Sequence, residues 1–206
     1  QPYIKTKIRK AVFSFDDLLQ DKAIITQTAG SVFRNSVYKN GVPEIIKNAV
    51  ETLSEASFRE DTCRYIIHLN IGSAFFKNEI VAVYRIHNNG IWSGVNDFVK
   101  NVRSCKQFYD LAVYFNHKFD GYFITRSFFY AKFCLHILYD LIEDYDLDNI
   151  ADKTHLDLLF LTIKEAFPYR SKSGTVLYSG KRNMFKMIIK YCLPYGIVRF
   201  IQSRNR

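Results

Sequence analysis

Apolar residues recur at helical spacing in several stretches of this 206-residue chain, and those stretches crowd toward its second half. Between residues 42 and 53, Val42, Ile45, Ile46, Ala49, Val50 and Leu53 fall on one face of a 3.6-residue repeat, which predicts a helix. Cys63, Ile66, Ile67 and Ile71 form a second such stripe, ended by Gly72. The Ser57-Phe58-Arg59-Glu60 stretch ahead of it fits a capping box, with Ser57 as N-cap and Glu60 three residues on. Beyond Asp97 the helical pattern continues over residues 98–119, 122–145 and 151–166.

Strand signals are confined to the first half. Residues 23–34, rich in Ile, Thr and Val, read as a strand or extended loop interrupted at Gly30. Residues 75–86 read as a strand, and Ile80-Val81-Ala82-Val83 is apolar on both faces, as in a buried strand. Residues 13–19 read as a short helical or turn element, Asn40-Gly41 as a turn, and His87-Asn88-Asn89-Gly90 as the loop that closes the second strand. The pattern therefore predicts an α/β first part with few strands, followed by a mainly α-helical region. The chain divides on this reading into residues 1–97, 98–169 and 170–206.

Composition narrows the class. A hydrophobic content of 48% and an aromatic content of 16% supply a core and argue against disorder. Cys63, Cys105, Cys134 and Cys192 are scattered with no C-x-x-C pair, so neither a zinc site nor a disulfide framework is expected, and reduced thiols of a cytoplasmic protein are the plain reading. Residues 170–206 hold nine of the 29 basic residues and none of the 20 acidic ones. The rest of the chain is balanced, so this tail accounts for the whole formal charge of +9 and points to an anionic partner surface. No helix-turn-helix, RNP or zinc pattern accompanies it, so nucleic acid is not the expected partner.

Two segments carry the candidate chemistry: Phe58-Arg59-Glu60-Asp61, and the stretch from Val83 to Ser93 reading V-Y-R-I-H-N-N-G-I-W-S. The second resembles the Y-R-x-H-x-x-G-x-W-S stretch of bacterial family-2 glycosyltransferases of the GT-A fold. Thr28-Ala29-Gly30-Ser31-Val32-Phe33-Arg34-Asn35 resembles their T-x-S-x-x-F-R-N strand, and Leu193-Pro194-Tyr195-Gly196-Ile197-Val198-Arg199 an L-P-Y-G-hydrophobic-V-R tail. The resemblance covers about residues 13–93 and the extreme C-terminus, and the order of the pieces adds to it.

The resemblance implies a partial, Rossmann-like GT-A half that transfers a sugar, with inversion, from a nucleotide-sugar donor to a glycan or lipid-linked acceptor in surface polysaccharide synthesis. It places Asp61, with Glu60 beside it, as the base that deprotonates the acceptor hydroxyl. A helix N-terminus favours the carboxylate anion, the form a base must have at rest, although an S-x-x-E-D start also caps helices that do no chemistry. His87 matches the family's C-terminal ligand to a Mg or Mn ion that neutralises the departing diphosphate. Strand alternation sets Arg85 on the same face, where a guanidinium suits phosphate oxygens; a solvated strand end reads the same way. Gly30, Ser31, Arg34 and Trp92 are further substrate-binding candidates. Trp92 equally suits a half-buried core site, and Gly30 a strand irregularity.

The family carries its nucleotide-binding strands and D-x-D-type metal motif ahead of this region. Asp16-Asp17, the adjacent Asp pair here, lies in an F-x-x-x-D-L-L segment and not at a strand end, so it does not read as that motif. The 206-residue chain alone is accordingly expected to bind nucleotide sugars weakly or not at all. Calorimetry with several nucleotide diphosphate sugars, in Mn or Mg, checks this, and tight metal-dependent binding would show the donor site misplaced.

The tail supports a separate expectation. Met184, Phe185, Met187, Ile188, Ile189, Tyr191, Leu193, Ile197, Val198, Phe200 and Ile201 are interrupted by Lys186, Lys190 and Arg199. No uncharged run reaches the roughly 20 residues of a membrane span. A segment lying among headgroups, basic side chains on anionic phosphates, fits the pattern, as does a C-terminal helix packed on the domain. The first places the protein at the inner face of the cell membrane. Anionic vesicles should then co-sediment with the chain, less so in salt, and not after removal of residues 183–206. The rival to the transferase reading is a non-catalytic helical binding or membrane-associated domain whose working part is this tail.

Overall fold

The computed structural model describes residues 11–23, 30–47, 60–77, 79, 94–143 and 153–170. They belong to two units, Gln1–Gly94 and Val95–Arg206. Among the described residues helix dominates, and the sheet is a single two-stranded antiparallel ladder.

In the first unit, strand β1 (Val12–Phe13) runs directly into helix α1 (Phe15–Leu19). Ser14 is the N-cap: its Oγ accepts the Asp17 N–H at 3.3 Å, while the Asp17 carboxylate accepts the Ser14 N–H at 2.7 Å and hydroxyl at 2.8 Å. This reciprocal box occupies Asp17, so the Asp16-Asp17 pair is the first turn of a helix. A helical turn at residues 44–47 contributes buried Ile45 and Ile46. It lies within the helix predicted over residues 42–53, of which residues 48–53 lie outside the described residues. The Asn40-Gly41 turn is present, with Gly41 at φ 102° and its N–H donating to the Tyr38 carbonyl at 3.0 Å.

Helix α2 (Glu60–Ile71) buries Cys63, Ile66 and Ile67 and gives way to Gly72, as the apolar stripe predicts, whereas Ile71, the fourth member of that stripe, is exposed at the helix end. Ser57, the expected N-cap, lies outside the described residues. Strand β2 (Ala74–Phe75) pairs with β1 in the register Val12↔Phe75 and Phe13↔Ala74, and the Phe76 N–H adds a bond to the Ala11 carbonyl at 2.7 Å.

The predicted strand over residues 75–86 is corrected at its start: the ladder stops at Phe75, and Lys77 and Glu79 form an exposed ion pair at 2.7 Å. In this antiparallel register the chain beyond Phe75 runs alongside Ala11, and residues 1–10, which would continue that edge, lie outside the described residues. Residues 80–86 lie outside the described residues. Residues 31–34 take no regular structure, so no strand is present in the described part of the 23–34 segment, and residues 24–29 lie outside the described residues.

The second unit holds helices α3 (Asp97–Tyr114), α4 (Asp120–Glu143) and α5 (Lys153–Ala166), then a 3₁₀ turn (Phe167–Tyr169). Asn96 caps α3 by accepting the Val99 N–H at 2.8 Å. The predicted helix over residues 98–119 ends early, at Tyr114, because Asn116 and His117 take left-handed φ of 49° and 58°. The His117 N–H then reaches back to the Ala112 carbonyl at 2.8 Å and closes the helix end. Apolar Phe115 and Phe119 imitate further helical turns, yet they pack in the corner: Phe115 stacks on Phe123 at 5.3 Å and Phe119 meets it edge-on. His117 Nδ1 donates to buried Asp120 at 3.0 Å, and Tyr169 stacks on the imidazole at 3.6 Å, tying the corner to the end of α5.

Phe98, Val102 and Cys105 from α3, Cys134, Leu135 and Leu138 from α4, and Leu156 and Leu159 from α5 share one apolar core. Where α3 crosses α4, the Ser127 hydroxyl donates to the Cys105 carbonyl at 2.8 Å, and Cys105 Sγ lies 3.4 Å from Ser127 Oγ. Burial pushes the Cys105 thiol up to about 12, outweighing the Ser127 contact and nearby Lys106, and burial likewise pushes Cys134 up. Among the described residues Cys63, Cys105 and Cys134 are buried in the interior. No described helix is long and apolar enough to cross a membrane.

Candidate active site

Asp61, Arg64 and His68 follow one another at i, i+3 and i+7 on α2, a spacing that places them on one face of the helix. Their neighbours Thr62, Cys63, Tyr65, Ile66, Ile67 and Leu69 are buried, whereas these three are half-buried, so α2 shows a polar stripe along an otherwise packed helix. Asp61 stands in the first turn, where its Oδ1 accepts the Thr62 N–H at 2.7 Å and lies 3.5 Å from the Thr62 hydroxyl. Glu60 opens the helix; its side chain lies outside what is described. Tyr65 belongs to the packed side, its hydroxyl pushed up to about 12 by burial, with the Asp17 carboxylate adding to the shift.

The loop from Ser31 to Tyr38 lies on the C-terminal part of this stripe. The Phe33 ring sits 4.7 Å from the His68 ring and the Tyr38 ring 5.6 Å from it. The Arg64 guanidinium carbon lies 5.9 Å from the centroids of both aromatic rings. His68 Nε2 meets the Arg34 carbonyl at 3.0 Å, and its Nδ1 meets the Arg64 carbonyl one turn back at 2.7 Å. The loop is thus attached through backbone and rings, which leaves the Arg34 side chain exposed and Ser31 half-buried.

The anchor at His68 is seven residues beyond Asp61, about 10 Å along the helix at 1.5 Å per residue. Arg34 and Asp61 therefore share a helix without sharing a contact. Gly30 is exposed, and a Cβ placed there would meet nothing within 4 Å. The described surroundings do not require glycine at this position.

Arg85, His87 and Trp92 lie outside the described residues. Among the described residues no group of three or more His, Cys, Asp or Glu side chains is gathered as a set of metal ligands. The residues that organise the stripe, Arg64, His68, Phe33 and Tyr38, are absent from the sequence-derived candidates. Arg64 and His68 were open to discovery through their register with Asp61; the aromatic pair becomes meaningful only once the loop is seen on the helix.

Neither a protein-family model, nor a curated protein, nor a solved structure matches this chain.

Proposed function

We propose that the chain is the acceptor-side portion of a family-2-type glycosyltransferase of the GT-A class. It moves a sugar from a nucleotide-sugar donor to a glycan or lipid-linked acceptor with inversion. The observation that supports this reading is the meeting of two separately matched stretches on one helix. The Glu60-Asp61 pair begins α2, and the Phe33-Arg34 loop is fastened to the same helix at His68.

In this reading Asp61 takes the proton of the acceptor hydroxyl as its oxygen attacks the anomeric carbon. The bond from that carbon to the diphosphate oxygen breaks on the opposite face, and the nucleoside diphosphate leaves with the bonding pair. Arg34, exposed and carried on an anchored backbone, takes an anionic part of the substrate in this reading. Ser31, Arg85 and Trp92 complete the proposed substrate contacts, with Glu60 beside the base. In the full-length enzyme a Mg or Mn ion with His87 among its ligands supplies neutralisation of the diphosphate.

The protein as its gene encodes it, incubated with a panel of nucleotide sugars and Mn or Mg, tests the reading through release of nucleoside diphosphate. Metal-dependent release that collapses in Asp61→Asn supports it. Absence of release with every donor, or undiminished release by Asp61→Asn, would leave the helical binding module as the better account.

A further inference from the structure

His68 touches two backbone carbonyl oxygens, Arg64 O from Nδ1 at 2.7 Å and Arg34 O from Nε2 at 3.0 Å. A carbonyl oxygen can only accept, so each contact requires a hydrogen on the ring nitrogen. Neutral imidazole carries one such hydrogen and imidazolium two. In the neutral ring one of the contacts would set lone pair against lone pair.

We infer that His68 is a proton-dependent positioning residue: as imidazolium it bridges helix α2 to the Arg34 carbonyl, and as neutral imidazole it lets that carbonyl go. The contact to Arg64 is the one retained. It closes a ring to the residue four back in the same helix, whose geometry the helix itself maintains, and it is the shorter of the two. The contact to Arg34 spans 34 residues of sequence and depends on where the loop sits.

Around the ring stand Asp61 and Arg64 on the same face of α2, the Phe33 and Tyr38 rings at 4.7 and 5.6 Å, and the backbone of Arg34, whose guanidinium side chain is exposed. The bridge is therefore complete while the ring holds both hydrogens and is released when one of them leaves. Only the consequence for turnover rests on the transferase reading. If Arg34 meets the donor, its loss of anchorage at higher pH weakens donor binding.

A nuclear magnetic resonance titration of the labelled 206-residue chain tests the bridge without any assay of activity. As the pH is raised, the His68 ring is expected to pass from two N–H groups to the Nδ1–H tautomer. The Arg34 carbonyl carbon and the Asn35 amide nitrogen, which share one peptide group, should shift with the same midpoint. In His68→Gln that shift should disappear, and the donor KM of the encoded protein, rising with pH in the native form, should become flat. A ring that keeps one neutral tautomer throughout, or one that titrates while the Arg34 carbonyl stays indifferent, would overturn the inference. The native titration decides even if His68→Gln does not fold. An inactive protein with coupled titration removes the transferase and keeps the bridge; an active protein with an indifferent Arg34 carbonyl does the reverse.

Discussion

Asp61→Asn is expected to cut sugar transfer by about 10²–10⁴-fold, the range a general base contributes, while the fold survives almost unchanged. The two expectations come from different properties of one side chain. The Thr62 N–H that Asp61 Oδ1 accepts at 2.7 Å can be accepted equally by an amide oxygen, so the local hydrogen bond persists. What is lost is a negative charge in the first turn of α2, worth about 0.3–1 kcal/mol against the helix dipole. A residue that only capped the helix would show that small stability loss and an unaltered rate. Parallel measurement of kcat/KM and of thermal unfolding separates the roles, and near-native turnover in Asp61→Asn would remove the base assignment.

Phe98→Ala is expected to cost about 3–5 kcal/mol of stability in the second unit. Phe98 is 1% exposed in the first turn of α3 and belongs to the cluster built from α3, α4 and α5. Its carbonyl also faces Cys134 Sγ at 3.9 Å, so backbone and ring both abut α4. Truncation removes a whole aromatic ring from a site walled by several helices, which can relax only partly around the void. Val113→Ala on the same helix, at a side chain 46% exposed, should change stability by no more than about 0.5 kcal/mol. Denaturant unfolding of both variants gives the comparison. A loss below about 1 kcal/mol in Phe98→Ala would mean that this ring does not organise the bundle.

Local pattern located elements well wherever one helix face had to be apolar. The stripe Cys63, Ile66, Ile67 placed α2 and the Gly72 stop, and the long apolar repeats beyond Asp97 placed the three helices of the second unit within a few residues. It failed where an apolar residue was wanted for a different reason. Phe115 and Phe119 continue the α3 periodicity because an aromatic corner needs them, and the left-handed backbone at Asn116 and His117 that ends the helix leaves no mark in hydrophobic spacing.

Of the candidate site, the sequence alone determined that Asp61 falls in the first turn of a helix, since the capping pattern from Ser57 to Glu60 marks the start of that helix and Gly72 its end. It also determined the placing of the charge, with residues 170–206 holding the whole excess. Tertiary structure decided three things: that residues 31–38 lie against α2, that Arg34 is held by its carbonyl and not its guanidinium, and that β2 stops at Phe75. The physical reason is one of range. Helical periodicity and capping act over three or four residues and are written in order along the chain. A histidine bridging a carbonyl 34 residues away, or a ladder pairing Val12 with Phe75, depends on which segments meet in space.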